Sequence, residues 1–559
     1  MKRILALVVL IAMLVTGVFS LASCSRNKTP GKATYDVPEG GYDGSAVTIV
    51  FWHSMGANLQ DVLNNNIEKF NEMYPNITVE HASMGDYDGV RDQVKTALTA
   101  GNQPNIAYCY PDHVALYNVA KKVIPLDNLI ESKIEVTDAL GNTTVLGFTD
   151  EQLADFVPGY YAEGSVFDEA GTMYTLPMSK STEALYYNKT FFEYCLALYN
   201  SPYDIDYYTH EVIYEVEVDK DGNTVYEVEL DENGEAKVDK DGKPVYALDD
   251  NGQKIPVYKL DENGEKIPVV NAHYKDENYN ITLPTTWDEM ESVCKKIKAI
   301  DPGCVPLGYD SEANWFITMT EQLNSGYTSL DEDEHFLFNN DANANFIKRY
   351  HEWYKNGYLT TETIYGSYTS GLFTATGNDQ KCYMVIGSTG GASYQTPPVD
   401  SNGKPLFEAG MATIPQEDPN NPQVISQGPS LCILDSESDQ EIVASWLFVK
   451  FLTSNVAFQA AFSMKSGYAP VIKSVQDNAV YSAWLDKASG YDNMTALSVK
   501  LALSQSDAYF VSPAFNGSSV ARDEVGGVLA DCLVYSGSDV EAYIRQKLQE
   551  AIDECEYNV

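Results

Sequence analysis

The stretch "VTIVFWHSMG" at residues 47–56 is followed by "NLQDVLNNNIEKFNEMY" at 58–74 and by "ITVEHA" at 77–82. The first and third stretches have the short apolar pattern of β-strands, and the second repeats apolar residues at helical spacing. Strand, helix and strand in succession predict an α/β unit with a mainly parallel sheet. The same pattern returns in "YDGVRDQVKTALTAG", "NIAYCY", "TWDEMESVCKKIKAI", "CYMVIG" and "IVASWLFVKFLTS". We therefore predict an α/β fold for most of the chain.

One segment, residues 214–270, breaks this pattern. Asp-Gly and Asn-Gly pairs recur between short alternating runs, with glycines at 222, 234, 242, 252 and 264. Such pairs favour the positive φ angles of tight hairpin turns, so we predict an array of β-hairpins inserted at 201–274. Calcium binding through Asp219 and Asp221, or through Asp239 and Asp241, is the alternative. The fixed ligand spacing and closing Glu of a calcium loop are absent.

The N-terminus has the features of a secretory signal. Lys2 and Arg3 precede the apolar run "ILALVVLIAMLVTGVF", and "LASC" follows, ending at Cys24. A Cys after two small residues resembles the lipobox of bacterial lipoproteins, which implies a signal peptide at 1–23 and lipidation of Cys24. The polar residues up to 45 predict a flexible tether over 24–45. An uncleaved membrane anchor is the alternative.

Charge and cysteine usage narrow the class of protein. The 559 residues carry a formal net charge of -43, which disfavours binding to nucleic acid phosphates. The nine cysteines form no CxxC pair, so zinc and redox motifs are unsupported. Several lie in apolar runs and are most simply buried small hydrophobes. We expect no metal and no cofactor.

Catalytic motifs are missing from the sequence. There is no G-x-S-x-G, H-E-x-x-H or P-loop, and the seven histidines have no ligand spacing. A glycosidase carboxylate pair is not testable from sequence, because any two of the 80 acids can converge in space. Aromatic residues, by contrast, recur at predicted strand–helix junctions, where α/β sheets bind ligands. They are Trp52, Tyr87, Tyr110, Trp315 and Tyr468.

Taken in order, several stretches resemble the family 1 extracellular solute-binding proteins of ABC importers, and most closely their glycerol-phosphate-binding branch. They include "FWHSMG", "TAGNQP", "LPMSKSTEALYYNK", "GPSLCIL" and "FVKFLTSNVAFQAAFSMKSGYAPVIKS". The resemblance implies a two-lobed, type II periplasmic-binding-protein-like clamp. It implies lobe one at 46–155 and 410–462, and lobe two at 156–409 and 463–559, with the hairpin insert in lobe two.

The resemblance also implies a set of ligand-binding residues. Matched residue by residue to the family's motifs, they are Tyr87, Ser181, Trp315, Ser388, Gly428, Tyr468 and Arg522. Two positions depart from the family: Pro111 stands where the family has a pocket Glu, leaving the adjacent Asp112 as its substitute, and Pro429 replaces a Gly. Trp52 and His53 are expected to shape the cleft wall or its packing, and Ser54 to reach the ligand. Arg522 is expected either to hold a phosphate or to form a structural ion pair with Asp523, Glu524 or another acid.

The function implied is ligand capture without covalent chemistry. We expect a monomer, anchored to the outer face of the membrane through lipid only, that captures sn-glycerol-3-phosphate, a glycerophosphodiester or a sugar for ABC permease subunits. The first alternative is a lipoprotein that binds a neutral oligosaccharide for a carbohydrate ABC importer. A secreted glycosidase is the second alternative, and a surface protein that adheres through the insert is the third.

Overall fold

A computed structural model describes residues 31–249, 252–331, 334–376, 381–488 and 493–558. The strands are β1 (Val47–His53), β2 (Ile77–Ser83), β3 (Ile106–Cys109), β4 (Glu135–Thr137), β5 (Thr143–Val145), β6 (Leu176–Pro177), β7 (Glu183–Asn188), β8 (Leu307–Tyr309), β9 (Leu359–Thr361), β10 (Met384–Ser388), β11 (Ala409–Ala412), β12 (Val424–Ile425), β13 (Ser430–Ile433) and β14 (Tyr509–Phe510). The signal peptide predicted for 1–23 and the lipidation predicted at Cys24 lie outside the described residues.

The helices alternate with these strands through most of the chain. They are α1 (Ala57–Met73), α2 (Tyr87–Ala100), α3 (Pro111–Asn118), α4 (Asp127–Glu131), α5 (Asp150–Asp155), α6 (Pro158–Ala162), α7 (Lys189–Asn200), α8 (Trp287–Ile300), α9 (Glu312–Gln322), α10 (Asp341–Lys355), α11 (Glu362–Tyr365), α12 (Ser370–Phe373), α13 (Asp439–Ser454), α14 (Val456–Ser466), α15 (Ala479–Leu485), α16 (Met494–Ser504), α17 (Ser518–Val534) and α18 (Val540–Tyr557). Short 3₁₀-helices cover Glu163–Ser165, Thr389–Gln395, Lys473–Asp477 and Ser506–Ala508.

Lobe one is built on a five-stranded sheet in the order β2-β1-β3-β13-β6. β1 pairs in parallel with β2 and β3, and β13 runs antiparallel to β3 and β6. Alternation in β1 points Ile49, Phe51 and His53 inward, where all three are buried. The helix α1 buries Leu63 and Phe70 in the same core, since residues seven apart share one face of a helix.

Lobe two has its own five-stranded sheet, in the order β11-β7-β10-β8-β9. β8 is parallel to β9 and β10, whereas β7 is antiparallel to β10 and β11. The helices α9, α10, α17 and α18 pack together beside this sheet. Their core holds the fully buried rings of Trp287, Trp315 and Trp353.

The chain changes lobes later than the sequence suggests. Residues 156–177, expected in lobe two, end in β6 of the lobe-one sheet, so the first crossing lies at 178–182. β11 lies in the lobe-two sheet and Val424 in its core, which moves the return crossing from 410 to 426–429. Tyr481, expected in lobe two, belongs to the lobe-one core. Strands as short as β6 carry too little pattern to reveal which sheet they join.

The insert forms a narrow three-sided stalk instead of flat hairpins. Its backbone forms five hydrogen-bonded rings of three residues each. In every ring, each residue donates its backbone N–H to the carbonyl of one partner and accepts the N–H of the other at its own carbonyl. In one ring Glu217 donates to Val257 at 2.8 Å, Val257 donates to Val225 at 2.9 Å, and Val225 returns to Glu217 at 2.9 Å. Rings of this kind pair each segment with two neighbours, so the stalk is held by backbone bonds. Among the described residues of 206–270, no side chain is buried.

Four turns of one design, at Asp219, Asp231, Asp239 and Asp261, close the stalk among the described residues, as the repeated glycines predict. In the turn at Asp231, the Asp carboxylate accepts the backbone N–H groups of Asn233 at 2.8 Å and Glu235 at 2.9 Å. Gly234 follows with φ +81°, a conformation that glycine adopts without strain. At Asp219 and Asp239, where the calcium alternative placed ligands, the carboxylate oxygen accepts the same two backbone bonds.

The described part of the tether, residues 31–45, packs on lobe one, which departs from the expected flexibility. The Tyr35 hydroxyl donates to Asp439 at 2.9 Å, and its carbonyl accepts from Asn128 at 2.8 Å. The Tyr42 ring contacts the Tyr74 ring edge-on. Aromatic residues within this polar segment supply enough buried area to hold it against the lobe.

Eight cysteines lie in the described residues, and all are buried free thiols, as the apolar runs around them predict. No single helix of the described residues has the length and apolar character needed to cross a membrane, although the bent pair α13–α14 passes by length and composition together. Most of α13 is buried inside lobe one.

Candidate ligand-binding cleft

Backbone segments between the lobes form a hinge beneath the cleft. The first crossing, 178–182, lies centrally: Ser181 exchanges backbone bonds with Gln427 at 2.9 Å, and Lys180 exchanges them with Ala469 at 3.0 and 2.7 Å. Gly428 lies so close to the first crossing that a Cβ there would come within 2.5 Å of the Ser179 carbonyl. Its φ of +94° adds a second reason for glycine. The hinge residues are therefore fixed relative to one another.

A buried ion pair fastens this hinge to lobe one. The Lys180 ammonium lies 2.7 Å from both carboxylate oxygens of Glu163 and donates to the Gly428 carbonyl at 3.1 Å. The Ser426 hydroxyl donates to the same carboxylate at 3.0 Å. All three ammonium donors have acceptors, which a buried ion pair needs to offset the desolvation of its charges. This pair joins the first two crossings to one wall of lobe one.

Tyrosines line the lobe-one side of the cleft. The Tyr87 ring stacks on Tyr110 at 4.6 Å between centroids and lies parallel to Tyr108 at 6.4 Å. Its hydroxyl is 3.4 Å from that of Tyr468, which enters from the hinge. Burial raises the pKa of the phenols of Tyr87, Tyr108 and Tyr468 above the ordinary value, so the hydroxyls stay neutral. The wall offers flat apolar faces and neutral hydroxyl groups.

Opposite charges face each other across the adjoining pocket, whose cavity volume is about 60 Å³. Arg522 of α17 lines it from lobe two and donates to the side-chain oxygen of Asn314. Within the described residues, the side chain that hydrogen-bonds to this guanidinium is thus the neutral amide of Asn314, and not the carboxylate of Asp523 or Glu524. Asp112 lines the pocket from lobe one, and its buried Oδ2 has no hydrogen-bond partner among the described residues.

Behind the pocket lies a buried carboxyl group, Glu183. It accepts a hydrogen bond of 2.8 Å from the Tyr309 hydroxyl. Burial raises the pKa of Glu183 to about 8, while the Tyr309 bond and the charge of Arg522 oppose the rise. This carboxyl is therefore largely protonated and neutral at neutral pH. A neutral Glu183 does not offset the positive charge of Arg522, so that charge is available to a ligand in the pocket.

The structure brings most of the predicted ligand-binding residues to this cleft. Tyr87 and Tyr468 meet through their hydroxyls, and the Ser388 hydroxyl lies 3.4 Å from that of Ser181. Arg522 and Asp112 line one pocket. Gly428 lies in the hinge between these groups. Residues distant in sequence thus converge where the two sheets and the hinge meet.

Trp315 is an exception, because it lies in the core of lobe two. Its side chain is fully buried, and its ring stacks on Tyr309 at 4.5 Å and contacts Tyr350. The helix α9 packs against α17 and so turns this residue inward. The expectation of a ligand contact at Trp315 is not supported by this placement.

Of the two roles expected for Trp52 and His53, cleft wall or packing, the structure gives His53 the packing role. His53 takes the inward position of the β1 alternation and is fully buried, whereas Trp52 and Ser54 are half-buried. The Met55 N–H donates to His53 Nδ1 at 3.1 Å, so His53 Nε2 carries the proton and donates to His81 Nδ1 at 2.9 Å. His53 is a structural group in a hydrogen-bonded chain.

Some pocket residues were not predicted from the sequence, namely Asn314, Tyr327, Gln427 and Ser518. Ser518 precedes Arg522 by four residues on α17, and helical spacing is the signal that would have found it. Gln427 is adjacent to Gly428 in the chain. Tyr327 follows a helix in a loop with no distinguishing pattern, so sequence offered no route to it.

Comparisons with known proteins agree with this arrangement of two lobes around a cleft. One model described as bacterial extracellular solute-binding protein matches residues 56–251, and a second with the same description matches 266–488. The sn-glycerol-3-phosphate-binding periplasmic protein UgpB of Salmonella paratyphi A is 28% identical over 149 residues. That stretch is 27% of this chain and 31% of the relative, so the chain matches less than a third of that protein's length.

Solved structures share the whole architecture at low sequence identity. UgpB from Mycobacterium tuberculosis, in complex with glycerophosphocholine, has a TM-score of 0.58 and 17% identity, covering 91% of this chain and 99% of that one. The cyclic alpha-maltosyl-1,6-maltose binding protein from Arthrobacter globiformis has a TM-score of 0.57 and 14% identity, covering 91% and 100%. These likenesses confirm the two-lobed fold.

The two family matches together span most of the chain, and residues of both cleft walls lie within them. The predicted family is thereby confirmed. This chain belongs to the bacterial extracellular solute-binding proteins.

Proposed function

We propose that the cleft captures sn-glycerol-3-phosphate or a glycerophosphodiester outside the membrane and delivers it to the permease of an ABC importer. The observation that carries this proposal is Arg522, a guanidinium in the pocket whose recorded partner is the neutral amide of Asn314. A guanidinium held in this way has donors left for the oxygens of a phosphate, which it binds in a planar fork.

Other groups of the cleft suit the rest of such a ligand. The buried Oδ2 of Asp112 is an acceptor without a partner in the described residues, and it fits a glycerol hydroxyl or another donor. The hydroxyls of Ser181 and Ser388 lie beside each other at the hinge. The Tyr87–Tyr110 stack offers an apolar face to the carbon skeleton. Lobe closure then encloses the ligand, and no covalent step is involved.

The charge of the ligand is tested by calorimetric titration with sn-glycerol-3-phosphate, glycerophosphocholine and maltotriose. We expect heat from a phosphate ester and a loss of roughly 2–5 kcal/mol of binding free energy in Arg522→Gln, because a buried charge pair is removed. Asp112→Asn is the comparison for the opposite side of the pocket: it keeps the phosphate contact and alters only the acceptor for a glycerol hydroxyl, so we expect a smaller loss than in Arg522→Gln. Heat from maltotriose alone would overturn the phosphate-ester proposal.

A neutral oligosaccharide is the second candidate ligand, supported by the stacked tyrosines at 4.6 Å. Sugar rings pack their apolar faces on aromatic rings, and such a ligand needs no cation. The pocket lining includes one carboxylate, Asp112, among the described residues, whereas most glycosidases use two. This favours binding over glycoside hydrolysis.

The location of the protein is part of the same proposal. Lipidation of Cys24 would hold the chain on the outer face of the membrane as a monomer beside its permease. Mass spectrometry of the mature protein tests this, with Cys24→Ala as the control that carries no lipid at this position. A mature N-terminus upstream of residue 24 would contradict the lipobox.

A further inference from the structure

The helix α17 carries two neighbouring stripes of residues on its cleft side. Ser518 and Arg522, four residues apart, line the pocket. Ser519 and Asp523, shifted by one residue, contact the opposite lobe. Residues four apart share a face of a helix, so the ligand stripe and the lobe-contact stripe lie side by side.

Arg91 of α2 is the lobe-one partner of the second stripe. Its Nη1 lies 3.3 Å from the Ser519 hydroxyl and 3.3 Å from Asp523 Oδ2. Within α2, the guanidinium also contacts Asp88 at 3.1 Å and Asp92 at 2.9 Å. The Arg91 side chain is only 14% exposed. One cation thus lies between carboxylates of both lobes.

The charges around Arg91 oppose closure when the cation is removed. Asp88 of lobe one would then face Asp523 of lobe two without a positive charge between them. Burial at the junction of the lobes, with repulsion from Asp88, raises the pKa of Asp523, and the charge of Arg91 opposes that rise. The side chains of Asp88 and Asp523 are 65% and 57% exposed, so water screens their repulsion and its expected effect is modest.

We propose that Arg91 is a positioning residue that latches the closed cleft by binding Ser519 and Asp523 across its mouth. The contact joins two lobes that separate on opening, so it stabilises the closed state and slows ligand release. This inference rests on the proposed function in requiring a ligand that both lobes enclose. It assigns a role in capture to a residue outside the ligand pocket.

Stopped-flow binding kinetics with the ligand found by titration test the latch. In Arg91→Gln the dissociation rate is expected to rise about 5- to 10-fold while the association rate changes less than about 2-fold, since affinity changes within one interface fall mainly on dissociation. Asp523→Asn should reproduce the effect, and the double variant should dissociate no faster than either single one. Arg91→Lys should restore part of the slow release, because it keeps the charge but not the fork.

Asp92→Asn is the matched control, because it removes a contact of the same guanidinium that stays within lobe one. We expect wild-type dissociation from it. Equal acceleration in Asp92→Asn and Asp523→Asn would overturn the latch, since the effect would then come from α2 alone. Unchanged dissociation in Arg91→Gln would overturn it as well.

A second measurement separates the latch from the identity of the ligand. Spin labels at Asp61→Cys in lobe one and Glu352→Cys in lobe two, both exposed sites, report the distance between the lobes in a protein whose described native thiols are buried. Without any ligand, Arg91→Gln should shift the distance distribution toward the open form relative to Asp92→Asn. If no phosphate ester and no sugar binds, the proposed function is wrong, but the distance measurement without ligand still tests the latch. Identical distance distributions in Arg91→Gln and Asp92→Asn would contradict the latch.

Discussion

The sheet of lobe two and the stalk that the same lobe carries differ in what holds them together. Strand β8 of the sheet is buried at every residue, whereas no described side chain of 206–270 is buried. The sheet depends on apolar area removed from water, and the stalk on backbone hydrogen-bond rings closed by repeated Asp turns. Two adjoining parts of one chain therefore respond to different substitutions.

Removal of an ion pair should give the largest difference in unfolding free energy between the two lobes, here called the body, and the stalk. Lys180→Met leaves Glu163 buried without its cation and is expected to cost about 3–5 kcal/mol of unfolding free energy. The control is Lys259→Met in the stalk, where the ammonium lies 2.9 Å from Glu215 but both side chains are over 40% exposed. Its expected cost is below about 1 kcal/mol. Urea unfolding measures both, and equal costs would erase the distinction.

Acid should weaken the body through the buried His53. Burial, assisted by His81, lowers the pKa of His53 from 6.5 to about 4. The neutral form is favoured in the folded state, so this stability is present above pH 6.5 and is lost as pH falls toward 4. The loss amounts to up to about 3 kcal/mol. Urea unfolding of His53→Gln between pH 7 and 4.5 should show a flatter pH dependence than the wild type, and parallel curves would contradict this role.

Glycine substitutions separate backbone strain from steric contact. Gly234 of the stalk has φ +81° and open space where a Cβ would be, so Gly234→Ala should cost about 1 kcal/mol locally. Gly428 of the hinge has φ +94° and a Cβ there would meet Ser179 at 2.5 Å, so Gly428→Ala should cost clearly more. Hydrogen exchange of each segment measures the two effects. A larger effect at Gly234 would argue against close packing of the hinge.

Removal of the stalk should have the smallest effect on the body. Replacing residues 215–267 with Asn-Gly joins Tyr214 to Pro268, which already pair as antiparallel neighbours. The root, with buried Ile205, stays in place. We expect the unfolding free energy of the body to change by less than about 1 kcal/mol and the ligand Kd by less than about 2-fold, because the described stalk shares no core with the cleft. A weaker Kd would assign the stalk a part in ligand binding.

The sequence by itself determined the local elements and the class of protein. Alternation around Ile49 and Phe51, helical spacing in α1 and the Asp-Gly turns each follow from interactions between residues close in the chain. The motifs that resemble the family were sufficient to name Tyr87, Ser181, Ser388, Tyr468 and Arg522, which the fold brings to one cleft.

Tertiary structure decided the features that depend on residues far apart in the sequence, namely sheet membership, burial and ion pairing. The two-residue strand β6 joins lobe one only because β13 pairs with it. The inward placement of Trp315, the buried Lys180–Glu163 pair and the contact of Arg91 with Asp523 all bring together residues on different elements. Local sequence fixes a residue's position along its own strand or helix, but burial and charge pairing are settled when the elements pack.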